Sequence, residues 1–428
     1  KEFQLKISNL KFLDPACGSG NFLIITYREL RLLEIKILKD LFKNGQQVID
    51  VSSIILLDID KFYGIECDEF ASKIAEVGMW LIDHQMNMLV SEEFGQYFVR
   101  LPLKKSAKIV LANSLQINWE DVVEKKELSY IIGNPPFNGT AYQSKDQKYD
   151  MTTVFDGVKN YHNLDYVSAW FFKAAIYING TNISVGFVST NSIIQGQQAI
   201  SLWKELIEKR DIFINVAYKT FIWGNKAKNK AAVHVVIICF SQINNKEKLL
   251  YTYTDETKEL IPEKVQIINQ YLINAPVVFI QKRTKPICNV PIIGTGSAFL
   301  DGGNFILSDQ QRVEVLNKEP FLMPYIKRFV SSREFINNEI KWCFWLSNIS
   351  PSILKKSNVL LNVIKNVKEF RESSNRSNTK KMAQFPLEYG EQRQPKSNFL
   401  LIPKVSSKNR NYIPIGYMDV TNIITDKV

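Results

Sequence analysis

A chain of 428 residues is too long for one ordinary domain, and its 45% hydrophobic content suffices for two packed cores. Five scattered cysteines (Cys17, Cys67, Cys239, Cys288, Cys343) and three distant histidines (His84, His162, His234) argue against a disulfide framework or a zinc site. With no signal peptide and no apolar run of bilayer length, they predict a soluble, cytoplasmic protein with neither metal nor membrane partner.

The formal charge of +11 is confined to one end. Residues 1–281 hold 31 Lys and Arg against 31 Asp and Glu, whereas residues 282–428 hold 23 against 12. A basic excess in one segment is the footprint of a polyanion partner, because each neutralised phosphate releases counterions.

In chain order, the apolar run Leu10 to Leu13 predicts a strand, and Asp14-Pro15-Ala16-Cys17-Gly18-Ser19-Gly20-Asn21-Phe22-Leu23 follows it. Gly18 and Gly20 at a strand-to-helix turn let the backbone approach a ligand that a Cβ would hold off. Cys17 reads as a small residue in a tight turn, not as a nucleophile. Leu23, Tyr27, Leu30, Leu33, Ile37 and Leu41 recur at helical spacing with Arg28, Arg31, Lys36 and Lys39 mostly between them. They predict an amphipathic helix of about five turns, ended by Asn44-Gly45. Phe62 to Glu66 is a second strand. An acidic side chain there accepts ribose hydroxyls, which selects Glu66, with Asp68 and Glu69 as neighbours in the same cluster. Phe70, Ile74, Val77, Leu81 and Met88 predict a core-facing stripe on the next helix. Ile109 to Leu111 is a third strand, leading into Ala112-Asn113-Ser114.

Ser129 to Gly133 is a fourth strand, and Asn134-Pro135-Pro136-Phe137 follows it. Strand ends in an open α/β sheet share one crevice, so this tetrapeptide and the glycine loop face one pocket. The polar residues 138–160 read as a mobile loop beside it. Helices over 165–178 and 199–207, strands over 183–189 and 212–217, and a nearly continuous apolar strand over 233–240 complete a doubly wound sheet. Residues 219–225 read as a loop carrying Phe221 and Trp223, and Lys226, Lys228 and Lys230 after it suit phosphates. Gly294-Thr295-Gly296, Asp301-Gly302-Gly303-Asn304 and the charge shift divide the chain into domains 1–285 and 286–428. Beyond the boundary, 321–345, 369–381 and 399–417 interleave Lys and Arg with aromatic, Ser and Asn residues, which suits phosphates and base edges.

The glycine loop followed, 120 residues after Asp14, by Asn134-Pro135-Pro136-Phe137 resembles the S-adenosylmethionine-dependent amino-methyltransferases that modify adenine N6 in DNA. The motif order, with the basic domain last, is the gamma arrangement. Residues 331–335, 341–346 and 405–410 look like the target-recognition region of MmeI-like single-chain restriction-modification enzymes, so the resemblance covers essentially the whole chain. It implies an α/β fold: a Rossmann-like S-adenosylmethionine-dependent methyltransferase sheet with a C-terminal basic α+β target-recognition domain, which ends incomplete. It also implies site-specific methylation of adenine N6 in double-stranded DNA, on a flipped-out base, as part of a restriction-modification enzyme.

By the same resemblance Asp14, Ala16, Gly18, Gly20, Asn21, Phe22, Glu66 and Asn113 hold the cofactor, with Ser114 the alternative to Asn113 beside its adenine. Asn134, Pro135, Pro136 and Phe137 are catalytic, and Phe137 with either Phe221 or Trp223 stacks on the target base. Lys226, Lys228, Lys230, Arg333, Ser406, Ser407, Lys408 and Arg410 contact DNA. The chain opens at Lys1 with 13 residues before Asp14, whereas a nuclease, a helical spacer and a cofactor-covering segment come first in the resembled enzymes. It is therefore expected to be a piece of a longer polypeptide, without Mg²⁺-dependent cleavage and with weak cofactor binding.

The residue chemistry agrees with the resemblance. Adenine N6 is a poor nucleophile because its lone pair is delocalised, and two acceptors aimed at its N–H bonds favour the pyramidal form of the transition state. The Asn134 side-chain oxygen and the Pro135 carbonyl suit this, since two prolines stiffen the loop. A cytosine-C5 enzyme needs a nucleophilic cysteine, normally after proline, and no Pro-Cys dipeptide occurs. Ribosomal RNA guanine-N2 and protein glutamine methyltransferases share Asn-Pro-Pro-aromatic but usually lack such a basic domain. A decayed, non-catalytic DNA-binding module would not keep both loops intact.

Overall fold

The seven apolar runs read as strands, joined by two strands that the sequence reading missed, pair into one nine-stranded sheet: β1 (Phe12–Asp14), β2 (Phe62–Glu66), β3 (Lys108–Leu111), β4 (Tyr130–Gly133), β5 (Ser184–Thr190), β6 (Phe213–Trp223), β7 (Val233–Ser241) and the unforeseen β8 (Lys248–Tyr253) and β9 (Leu260–Val265). The computed structural model describes residues 1–42, 51–98, 106–223, 233–254, 259–280, 283, 285–407 and 410–428. They form two units, Lys1–Thr284 and Lys285–Val428.

The sheet order is β3-β2-β1-β4-β5-β7-β6-β8-β9. Strands β1 to β5 run parallel, and β7 enters antiparallel between β5 and β6. Strand order reverses between β1 and β4, so loops leaving their carboxyl ends open onto a topological switch point. Among the described residues the helices that accompany the sheet are α1 (Glu2–Ser8), α2 (Asn21–Leu41), α3 (Glu69–Phe94), α4 (Lys145–Val154), α5 (Ser168–Tyr177) and α6 (Gly196–Arg210). Phe171, Phe172, Trp203, Phe187 and Phe240 form the centre of the largest core, while Leu23, Tyr27, Phe62, Met79 and Ile82 form a second.

In the first unit four expectations are corrected. In α2 the buried line is Leu23, Tyr27, Arg31, Glu34, Ile35 and Leu38, while Leu41 is exposed and Leu30, Leu33 and Ile37 are half-buried. Arg31 turns inward toward two buried acceptors: its Nη1 donates to the Leu57 carbonyl (3.2 Å) and its Nη2 to Asn87 Oδ1 (3.0 Å), while its Nε has no partner among the described residues. In α3 the stripe Phe70, Ile74, Val77, Leu81 and Met88 faces solvent, with Phe70 76% and Leu81 57% exposed. Burial follows Ser72, Ala75, Met79, Ile82, Met86 and Val90 instead. The glycine turn sets this register: a Cβ on Gly20 would lie 3.0 Å from that of Ala75, a closeness that only small residues permit.

Residues 138–160 are not an irregular loop, since α4 occupies 145–154. A capping box between Ser144 and Gln147 starts it, and its inner face buries Asp150 and Met151. The segment 219–223 continues β6 rather than forming a loop, because Phe221, Ile222 and Trp223 pair with Val235, His234 and Val233 of β7.

The second unit has a four-stranded sheet, ordered β10-β12-β11-β15, from β10 (Ile306–Ser308), β11 (Ile326–Val330), β12 (Lys341–Phe344) and β15 (Ile423–Ile424). A ribbon of β13 (Phe399–Leu401) and β14 (Gly416–Met418) stands apart from it in pairing. Its helices are α7 (Asp309–Lys318), α8 (Ser332–Asn337), α9 (Pro351–Lys356), α10 (Asn358–Glu372) and α11 (Ser377–Lys381). Phe299, Phe305, Phe344, Leu360 and Tyr389 centre its core. Arg371, within a stretch expected to meet phosphates, is instead fully buried. It donates to the carbonyls of Phe299, Leu300, Met382, Phe385 and Glu388, and so staples α10 to the loops around it. Among the described residues no helix is long and apolar enough to cross a membrane.

Candidate active site at the β1 and β4 strand ends

The glycine loop is held from four directions. Ala16 N–H donates to Asp14 Oδ1 (3.0 Å), Cys17 N–H to the Ile65 carbonyl (3.1 Å), Gly18 N–H to Glu66 Oε2 (2.8 Å), and Trp170 Nε1 to the Pro15 carbonyl (3.0 Å). Gly18 and Gly20 both take left-handed conformations, with φ of 52° and 82°. A Cβ on Gly18 would meet nothing within 4 Å, so the backbone offers a ligand an open approach there. Asn21 is exposed and begins α2, with Phe22 half-buried after it. Among the described residues no side chain caps this helix start, and its N–H groups are aligned to receive polar atoms.

Glu66, at the β2 end, accepts from Gly18 N–H and also from the amides of Cys67 and Asp68, both at 2.9 Å. Its neighbours are sorted by geometry: Asp68 is committed to capping α3 through Ala71 N–H (2.7 Å), and Glu69 is exposed in the first turn. Cys17 is buried, and burial first, then the charges of Asp14 and Glu66, push its thiol far above the ordinary range, which keeps it a packing residue.

Asp14 is the electrostatic outlier. It is fully buried, and its Oδ2 has no hydrogen-bond partner among the described residues. Burial, with a smaller push from Glu66 against the Ala16 hydrogen bond, raises it from 3.8 to about 7. Between those values the folded chain holds a proton that the unfolded chain has released. Stability from this group is therefore fully present below 3.8 and is lost as pH rises through 7. In Asp14→Asn the titration is gone, so stability relative to the parent should shift in the variant's favour between about pH 4 and about pH 8. At about 1.4 kcal/mol per unit the ceiling is roughly 4 kcal/mol, of which relaxation and water entry leave a part. Urea unfolding at both pH values measures it; an unchanged difference refutes the burial cause.

On the β4 side Asn134 is exposed, Pro135 buried, Pro136 exposed and Phe137 half-buried against the largest core. Among the described residues the Asn134 side chain makes no hydrogen bond, so its amide is available to a ligand. The two loops touch through Gly133, where a Cβ would lie 2.6 Å from Asp14 Oδ1 and 3.3 Å from its Cγ. Asp14 is too enclosed to step aside freely. Gly133→Ala should cost about 1–3 kcal/mol as overpacking and displace Asn134. A melting temperature equal to that of the parent would contradict this contact.

Asn113 does not present a free amide. Its Nδ2 donates to both carboxylate oxygens of Asp150 (3.1 and 3.3 Å), and its Oδ1 accepts from Leu115 N–H (2.9 Å). Ser114 is buried and accepts from Trp119 Nε1 (3.1 Å). Lys173 secures the same turn by donating to the carbonyls of Leu115 (2.9 Å) and Ile117 (2.6 Å); burial, against the charge of Asp150, lowers it to about 8. Asp150, Tyr166, Trp170 and Lys173 had no signal in the sequence, since each is one polar or aromatic residue in a stretch without a motif.

Phe221 and Trp223 lie on one face of β6, with ring centroids 6.2 Å apart; Phe221 is half-buried against Tyr253 (5.0 Å) and Trp223 is exposed. In the second unit Arg333 is exposed and paired with Glu339 at 3.1 Å. It lines a concavity of about 970 Å³ with Phe329, Arg376, Lys404 and Lys427. Ser406, Ser407 and Arg410 are exposed. Lys226, Lys228, Lys230 and Lys408 lie outside the described residues. Among the described residues no group of three or more His, Cys, Asp and Glu is placed to hold a metal ion.

A family model described as the MmeI DNA-methyltransferase domain matches residues 1–252, and one described as the MmeI target recognition domain matches residues 274–428. The chain is similar to "DNA methyltransferase A" of Bacillus subtilis (strain 168), 40% identical over 426 residues, which is 99% of this chain and 47% of the relative. A putative type II restriction enzyme and methyltransferase of Methanocaldococcus jannaschii is 30% identical over 136 residues, 31% of this chain and 11% of that protein. The solved structure of the type IIL restriction-modification enzyme MmeI in complex with DNA superposes with a TM-score of 0.92 at 45% identity, over 100% of this chain and 57% of that one. The chain thus spans about half the length of the longer relatives it matches throughout.

Proposed function

The chain belongs to the MmeI DNA-methyltransferase family, and from that premise we propose that it methylates adenine N6 at specific sites in double-stranded DNA, within a restriction-modification enzyme of the cytoplasm. The observation that carries this reading is the meeting of the glycine loop and Asn134-Pro135-Pro136-Phe137 at adjacent parallel strand ends, joined by the contact of Asp14 with Gly133.

S-adenosylmethionine fits the β1 side, where the open backbone at Gly18, the uncapped start of α2 and the carboxylate of Glu66 suit a nucleoside with a polar tail. When bound there it supplies an electrophilic methyl group. Asp14, Ala16, Gly20, Asn21 and Phe22 shape the same wall, and Asn113 closes it beside the adenine as an element held from behind by Asp150.

The chain's own contribution on the β4 side is to capture and activate the target amine. Asn134 Oδ1 and the Pro135 carbonyl accept from the two N–H bonds of N6 and draw its lone pair out of the ring. Buried Pro135 and its proline neighbour fix where both oxygens point. The target must leave the duplex to reach them, and Phe137, with Phe221 or Trp223, offers a stacking face that offsets part of the unstacking cost. The basic second unit, with Arg333, Ser406, Ser407 and Arg410 on its surface, docks the duplex.

The test is to incubate the chain with S-adenosylmethionine and mixed-sequence DNA and read modified adenines by sequencing. N6-methyladenine within one short sequence is the expected product. Methylated cytosine, RNA or protein as the only product would overturn the reading.

A further inference from the structure

We propose that Asp150 and Tyr166 are positioning residues that couple cofactor binding to capture of the target adenine, an inference that rests on the function proposed above. Three loops must be in register for methyl transfer: the glycine loop, the turn after β3 and the tetrapeptide loop after β4. Tyr166 is linked to all three, to the last directly and to the others through one neighbour each. Its backbone N–H donates to the carbonyl of Asn138, next to Phe137 (2.9 Å). Its hydroxyl donates to Asp150 Oδ2 (2.6 Å), and its ring stands edge-on to Trp170 with centroids 5.1 Å apart. Trp170 in turn holds the Pro15 carbonyl of the glycine loop.

Asp150 completes the node on the β3 side. It is 2% exposed, and its two oxygens accept from Tyr166, from Asn113 and from Gln116 Nε2 (2.8 Å). A carboxylate suits this place, because all three side chains facing it donate to it. An asparagine would turn an N–H₂ toward one of them, which must then reverse its own hydrogen bond or leave a buried donor unmatched, and the charge that strengthens all of these bonds is lost. α4 carries Asp150, so the helix just beyond the tetrapeptide loop grips the wall assigned to the cofactor's adenine. A ligand that settles either loop thereby settles the other, and such coupling between two sites is reciprocal, typically about 5–150-fold.

Tyr166→Phe keeps the ring and the backbone hydrogen bond and removes only the link to Asp150. Affinity for a duplex carrying the methylated sequence, with 2-aminopurine at the target position, is measured by fluorescence titration with and without S-adenosylhomocysteine. In the parent the cofactor product tightens duplex binding by a factor in the coupling range above, and the fluorescence of the extruded base rises with it. In Tyr166→Phe this factor should fall to about one, while cofactor-free duplex affinity stays within about twofold and the chain stays folded, with a melting temperature lowered by the few degrees that one buried hydrogen bond to a charged group is worth. Asp150→Asn should lose the factor too and raise KM for S-adenosylmethionine; if it does not fold, Tyr166→Phe carries the test alone. A parent without coupling, or a Tyr166→Phe chain with the parent's factor, overturns the inference. A parent that methylates no adenine at all overturns the function itself, a separate result.

Discussion

Replacing Asn134 by alanine will lower kcat by about 10²–10³-fold, or about 2.7–4 kcal/mol, and leave affinity for S-adenosylmethionine nearly unchanged. The size follows from what the side chain faces. Asn134 is exposed at the end of β4 and has no hydrogen-bond partner among the described residues, so its removal costs little folding energy. Its oxygen matters when N6 turns pyramidal and its N–H bonds grow acidic, which is a transition-state interaction and appears in kcat and kcat/KM alike. Steady-state kinetics with cofactor titration separates the outcomes. A rise in KM alone would make Asn134 a binding residue and move catalysis elsewhere.

What the sequence disclosed follows from which signals are local. Strand ends were legible because short apolar runs close on turn residues, so the positions of Glu66 and Gly133 at strand termini needed only the chain. Helix faces were less so. α3 is apolar over more of its circumference than the sheet can cover, and its register is chosen by close approach of Ala75 to Gly20, a contact made across 55 positions of chain. Polar residues gave the largest errors: Arg31 and Arg371 read as solvent-facing cations, yet each is buried where carbonyls from distant segments converge. Those partners are set by tertiary structure alone. The node of Asp150 and Tyr166 was hidden for the same reason.

Electrostatics should divide the labour between the two parts of the chain, and removal of residues 282–428 is the sharpest way to see it. Residues 1–281 carry no net formal charge, whereas residues 282–428 hold 23 cationic side chains against 12 anionic. Each phosphate neutralised by such a side chain releases counterions, so the full chain should bind duplex DNA with an affinity that falls steeply with salt, by a slope of about −0.9 per phosphate contact. The truncated chain should lose on the order of 10³-fold in duplex affinity, the gap between specific and non-specific binding, and should show a shallow salt slope. It should remain folded, because its cores draw only on its own residues, from Leu13 and Phe171 to Leu272, and the sheet from β3 to β9 stays whole. Circular dichroism and cofactor titration would establish that fold before DNA is added. A truncated chain with the affinity and salt slope of the full one would place duplex docking on the methyltransferase unit and leave the basic excess as a solvated surface.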